Sequence, residues 1–109
     1  MDCIFCNIVQ KNTPAAVVYE DDLAIAFKDI NPKAPTHLLI VPKEHLTSLA
    51  HAVPEQKELL GHLLLVVQML AQEKNLPGFK TIINTGKEGG QVVDHLHLHL
   101  LAGQKFNEV

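Results

Sequence analysis

Tryptophan is absent, tyrosine occurs once, and only two cysteines are present in 109 residues. Two cysteines close at most one disulfide, which excludes a disulfide-stapled scaffold. Long hydrophobic runs are missing too. A stretch such as Leu63 to Val67 is far short of the roughly 20 residues needed to cross a bilayer. The opening Met1-Asp2-Cys3-Ile4-Phe5-Cys6-Asn7 lacks the basic start and extended apolar segment of a signal peptide. A cytoplasmic protein with no membrane partner is therefore expected. Nor is there a block of positive charge: nine Lys and Arg stand against twelve Asp and Glu, a net charge of −3. That balance argues against a nucleic-acid binder, although main-chain amides can still cradle a small phosphate. Apolar residues at 47% and charged residues at 19% suit one ordinary globular domain spanning residues 1–109. What the chain has in excess is histidine, with seven residues.

Periodicity organises the chain without repeats or linkers. Ile4, Phe5, Ile8 and Val9 have the i, i+3, i+4 spacing of a short N-terminal helix, ended by Asn12-Thr13-Pro14. Val17–Tyr19 and Leu23–Phe27 read as strands around the turn Glu20-Asp21-Asp22. The two prolines of Asn31-Pro32-Lys33-Ala34-Pro35 make a loop. His37–Val41 reads as a strand buried on both faces, closed by Pro42. Pro54 suits the first turn of a long helix that runs to about Lys74, roughly 30 Å. Its apolar set, Leu59, Leu60, Leu63 to Val67, Met69 and Leu70, is wider than one core-facing stripe. The excess predicts a second subunit, hence a homodimer, with His62 at the surface or interface. Phe79–Asn84 and His95–Leu101 complete five strands. The order predicts an α+β domain on a mainly antiparallel sheet, with one long and one short helix.

The strongest chemical signal is His95-Leu96-His97-Leu98-His99-Leu100-Leu101. On a strand, alternation puts three leucines against a core and three imidazoles on the opposite face. Such a row suits either a His-x-His metal site or a nucleophilic imidazole with a hydrogen-bonding partner. The preceding Gly89-Gly90 lets main-chain amides approach an anion, flanked by the neutral amides of Asn84 and Gln91. A neutral oxyanion cradle beside an unprotonated histidine favours attack on phosphorus. Cys3-x-x-Cys6 has the spacing of a metal knuckle but cannot close a tetrahedral site alone.

The seven-residue pattern resembles the histidine triad (HIT) family, His-φ-His-φ-His-φ-φ with φ apolar. The resemblance extends through Phe27–Pro32, Ala34–His37, Val41–His45 and Gly89–Gln91. It looks like the Hint-like nucleoside phosphoramidase branch, since the nucleotide-transferring branch has Gln where His99 stands. It implies the HIT-like fold, a dimer and a purine nucleotide substrate. By the same resemblance His97 attacks the α-phosphorus to give a nucleotidyl-histidine that water hydrolyses. His99 assists the leaving group, and His37 accepts a hydrogen bond from His97. Asn84, Gly90 and Gln91 line the phosphate site, and Asp29 binds the ribose. Ile4, Phe5, Ile8, Phe27 and Leu39 form the base slot, although each reads equally well as core. No cofactor is implied for catalysis, whereas a structural zinc on Cys3, Cys6, His45 and His95 is. Val92 departs from the Ser of many phosphoramidases, and the chain ends at Val109 without the longer tail of some relatives. Three rival expectations stand beside this reading: a dinucleoside polyphosphate hydrolase of the same fold, a zinc-stabilised nucleotide-binding module without turnover, and a His-x-His metalloenzyme.

Overall fold

The computed structural model describes residues 3–109. Helix α1 (Ile4–Val9) begins at Cys3, whose sulfur accepts the N–H of Cys6 at 3.4 Å. Strands β1 (Val17–Glu20), β2 (Ala24–Lys28) and β3 (Thr36–Pro42) follow as a meander. Two single 3₁₀ turns, Leu49–His51 and Pro54–Gln56, lead into α2 (Lys57–Glu73). Asn75 stops that helix in a left-handed conformation, φ 53°, which its short polar side chain tolerates. Strands β4 (Lys80–Ile82) and β5 (Leu98–Ala102) complete an antiparallel sheet ordered β1-β2-β3-β5-β4.

The sheet divides two cores. On one face Ala24, Ala26, Leu38, Ile40, Leu98 and Leu100 pack with Leu63, Val66, Val67 and Leu70 of α2. The alternate residues, Ile25, Phe27, Leu39 and Val41, meet Phe5 and Ile8 of α1 on the other. This two-sided burial is why β3 reads as a continuous apolar run: every residue from His37 to Pro42 is buried. The α1 face also carries His37 and His99, because β3 and β5 pair Leu39 with His99 and His37 with Leu101. Not all of the wide apolar stripe of α2 is used. Leu64 and Leu65 are 52% and 65% exposed. His62 donates its Nε2–H to Asp21 at 2.6 Å, tying α2 to the β1–β2 turn.

The strand expected over His95–Leu101 begins only at Leu98. Its ladder with β3 ends at the pair Ile40–Leu98, and in the same register Leu96 would next face Pro42, which has no N–H to give. The N–H of Leu96 instead reaches the Leu46 carbonyl at 2.6 Å. His95 and His97 therefore lie on irregular backbone before the strand, so simple alternation does not position them.

Candidate active site and metal centre

A cleft of about 470 Å3 opens between α1, the β2–β3 loop, β5 and the segment 84–93. Ile4, Phe5, Ile8, Phe27 and Leu39 make its apolar end. Asp29, His37, His97 and His99 lie along it, with Asn84, Gly90, Val92 and Val93 on the remaining wall. Of the residues expected to contact substrate, only Gln91 is not part of this lining. Its Oε1 accepts the Gly86 N–H at 2.9 Å, and its Nε2 donates to the carbonyls of Thr47 (2.7 Å) and Val93 (2.9 Å). Gln91 braces the loop; its amide is consumed by main-chain partners rather than offered to a ligand. Asn84 likewise donates to Gly89 O at 2.8 Å. Gly89 is irreplaceable sterically, since a Cβ there would lie 2.2 Å from Thr85 O, and Gly90 adopts φ +83°.

The histidines form two connected groups. The ring of His97 is buried edge-on against Phe5, centroids 5.2 Å apart, and stands 5.0 Å from His99. Its Nδ1 lies 2.8 Å from the main-chain carbonyl two residues back, His95 O. A carbonyl only accepts, so Nδ1 carries the proton and the Nε2 lone pair is free. His37 does not reach His97 as expected. Its Nε2 lies 2.9 Å from His99 Nδ1 and 3.4 Å from Asp29 Oδ2. The cause is register: the main-chain carbonyl of His95 has already taken His97 Nδ1, while cross-strand pairing leaves His37 diagonal to His99. Burial lowers the pKa of His37 despite nearby Asp29. Burial, reinforced by His97 and His37, lowers His99 to about 4. Both rings are therefore neutral at physiological pH.

The second group joins α1 to the segment before β5. His95, fully buried, donates Nε2–H to Pro42 O at 2.9 Å, which leaves its Nδ1 lone pair facing Cys3 Sγ at 3.3 Å and Cys6 Sγ at 3.6 Å. His45 Nδ1 lies 3.2 Å from Cys6 Sγ. All four donors lie within 4.8 Å of one another. A tetrahedral zinc with ordinary bond lengths has N···S edges of about 3.5 Å, so this Cys2His2 set fits the ion. Burial of His95 lowers its pKa, which keeps the ring in the neutral form that ligates. Burial, then the neighbouring Cys3, raises the Cys6 thiol. Asp94 is exposed and stands outside the cluster.

Comparison with known proteins bears on these groups together. A family model described as scavenger mRNA decapping enzyme C-term binding matches residues 2–108. Protein HitA of Neisseria gonorrhoeae is 56% identical over 101 residues, 92% of this chain and 94% of that protein. A 14 kDa zinc-binding protein of Zea mays is 48% identical over 107 residues, 95% of this chain and 84% of that protein. The solved HIT family hydrolase from Legionella pneumophila Philadelphia 1 superposes with a TM-score of 0.95 at 44% identity, over 97% of this chain and 96% of that one. With near-complete coverage in both directions and the same arrangement of helices and sheet, the chain belongs to the histidine triad (HIT) family.

Proposed function

We propose that the chain is a hydrolase of purine nucleoside 5′-phosphate derivatives, with phosphoramidates of the adenylyl-amine type as its substrate class. The observation that carries this reading is the geometry of His97: a ring buried in the cleft, its Nδ1–H held by His95 O at 2.8 Å, so that Nε2 is the nitrogen left to meet a substrate. That is an activated nucleophile whose orientation is set before substrate arrives. The apolar end of the cleft suits a purine ring, and Asp29 at its rim suits ribose hydroxyls, since a carboxylate only accepts. His97 Nε2 forms a bond to the α-phosphorus as the bond to the leaving group breaks. Water then attacks phosphorus, and the electron pair returns to Nε2 with release of the monophosphate. His99, 5.0 Å from His97, contacts the departing side. The Legionella relative is described as a hydrolase, which supports turnover over mere binding.

The Cys2His2 cluster holds a structural zinc in this reading, supported by its donor geometry and by the zinc binding of the maize relative. With four protein ligands it leaves no open position for chemistry. The exposed Leu64 and Leu65 on α2 support a homodimer through that helix. The test follows AMP release from adenosine 5′-phosphoramidate by EDTA-treated protein and by His97→Ala. Wild-type turnover should survive chelation, and the variant should lose on the order of 10⁴-fold or more in kcat, the scale for removing a covalent nucleophile. Activity persisting in His97→Ala would overturn the assignment.

A further inference from the structure

Asp29, His37 and His99 bring three potential ligand atoms within 4.8 Å of one another, a grouping that looks like a second metal site. One contact decides otherwise. The main-chain N–H of Lys33 points at His37 Nδ1, 3.0 Å away. An amide nitrogen only donates, so His37 Nδ1 must be the acceptor and the neutral ring must carry its proton on Nε2. That nitrogen has no lone pair for a metal. It faces His99 Nδ1 at 2.9 Å, and two N–H groups cannot meet at that distance. His99 Nδ1 is then the acceptor, and the proton of His99 sits on Nε2, which has no hydrogen-bond partner among the described residues and belongs to a ring that lines the cleft.

We propose that the Lys33 main-chain amide, acting through His37, is a positioning group that locks His99 as its Nε2–H tautomer and so presents a hydrogen-bond donor to the cleft. His37 is in this account a relay with one acceptor and one donor, not a partner of the nucleophile. Asp29 Oδ2, 3.4 Å from His37 Nε2, is a secondary acceptor for the same proton. The loop that carries the amide is itself stapled. Asp29 N–H donates to His37 O at 3.0 Å, Asn31 N–H to Asp29 Oδ1 at 2.8 Å, and Lys33 Nζ to Asn31 O at 3.0 Å. Pro32 restricts φ immediately before Lys33. The residue proposed to hold the ribose and the group that sets the tautomer therefore belong to one short turn.

The relay is read directly from the ring 15N chemical shifts of labelled protein near pH 8, where the rings are neutral. The wild type should give His99 as a single Nε2–H tautomer. Protonation on Nδ1 would overturn the proposal without reference to any activity. Lys33→Ala keeps the amide and should leave the pattern unchanged, whereas Lys33→Pro removes that donor and should move His99 to a tautomer mixture. Should proline at 33 disturb the fold, a second pair decides. His37→Gln retains one acceptor and one donor and should preserve the single tautomer, while His37→Phe fills the volume and should lose it. A single Nε2–H tautomer surviving in His37→Phe would refute the relay. The kinetic arm alone rests on the proposed hydrolase reading. There kcat should fall roughly 10- to 100-fold in His37→Phe, with the nucleotide KM little changed and partial rescue in His37→Gln. Turnover absent from the wild type would sink the hydrolase reading while leaving the 15N result standing.

Discussion

Replacing Asp21 should detach the long helix from the first hairpin. Its Oδ1 accepts the N–H groups of Leu23 and Ala24, both at 2.8 Å. Its Oδ2 accepts Tyr19 O–H and His62 Nε2–H, both at 2.6 Å. These donors overcome the cost of burial and hold the carboxyl well below the usual carboxylate range. Hydrogen bonds to an ionised group contribute about 1.5–3 kcal/mol each in favourable settings. Here the side chain is 24% exposed, and water can replace part of what is lost. Asp21→Ala should therefore cost about 2–4 kcal/mol in total, a Tm drop of roughly 8–16 °C for a chain of this size. Asp21→Asn, which still accepts from the two turn amides, should lose about half as much. A double-mutant cycle with His62→Ala should return a coupling of about 1 kcal/mol. The pH dependence has a definite sign. A carboxyl depressed in the folded state contributes its full stabilisation above the unfolded value near 3.9 and loses it as pH falls further. Urea denaturation of wild type and Asp21→Ala should thus differ by a constant amount from about pH 5 to 8 and converge in stronger acid. A variant within about 2 °C of the wild type, or a gap that widens in acid, would refute the reasoning.

Three other outcomes follow from named positions. Val92, 89% exposed on the cleft wall, offers no proton, so Val92→Ser should raise turnover of a phosphoramidate relative to a nucleoside 5′-phosphate ester of an acidic alcohol. An equal effect on both substrates would remove Val92 from leaving-group departure. His99 has a folded pKa near 4 against an unfolded value of about 6.5. The unfolded chain binds more protons across that window, so wild-type stability should decline relative to His99→Gln as pH drops through it; parallel stability curves would contradict the burial argument. Leu65→Glu puts a charge on the 65%-exposed position of α2 and should convert a dimer to monomer in sedimentation equilibrium, with the monomer's helical signal intact. A wild type that sediments as a monomer would reject the dimer outright.

The elements legible in the sequence are those whose signal is local and long. The apolar run of β3 places that strand to within a residue at each end, and the α2 periodicity finds the helix and its end near Lys74, although Pro54 opens a separate 3₁₀ turn and the helix itself starts at Lys57, because burial on one stripe or on both faces writes itself into residue type. The start of β5 was not legible. Alternation of histidine and leucine continues through His95 and His97, but pairing stops where the opposite strand reaches Pro42, a fact of register rather than of composition. The same holds inside the site. Gln91 carries the right group beside a glycine pair, yet its amide is taken by Thr47 O, 44 residues away in sequence. His62 meets Asp21 across 41 residues. Residue types announced which groups could act; only the fold determined which hydrogen bonds they had already spent. The cysteine pair is the contrasting case. Its completion by His45 and His95 followed from family resemblance and not from spacing, and the donor geometry now supports it independently.

His95 links the two centres through different atoms of one residue. Its ring is tied at Nε2 by Pro42 O and faces the two thiols with Nδ1, while its carbonyl holds Nδ1–H of His97, the proposed nucleophile. Because this residue lies on irregular backbone before β5, no sheet ladder fixes that carbonyl. Its peptide unit is held by the Leu96 N–H on Leu46 O at 2.6 Å, and the His95 ring on Pro42 O is a second anchor. Zinc on the Cys2His2 set would clamp the ring and, with it, the peptide unit that orients His97. Thiolates must replace thiols for that to happen, and burial of Cys6 already penalises its charge, a cost that a bound ion would offset. Stripping zinc should then do two separable things. Thermal stability should fall, because α1 loses its tether to the β5 approach, and kcat should fall several-fold with KM for the nucleotide preserved, because the base slot persists while the nucleophile's orientation loosens. His45→Ala, which removes the most exposed ligand and touches neither His97 nor the cleft, should reproduce both effects in weaker form. If the stripped protein kept full kcat while its Tm fell, the carbonyl of His95 would be held by the backbone alone, and the metal cluster would be a fastening for α1 with no hand in catalysis.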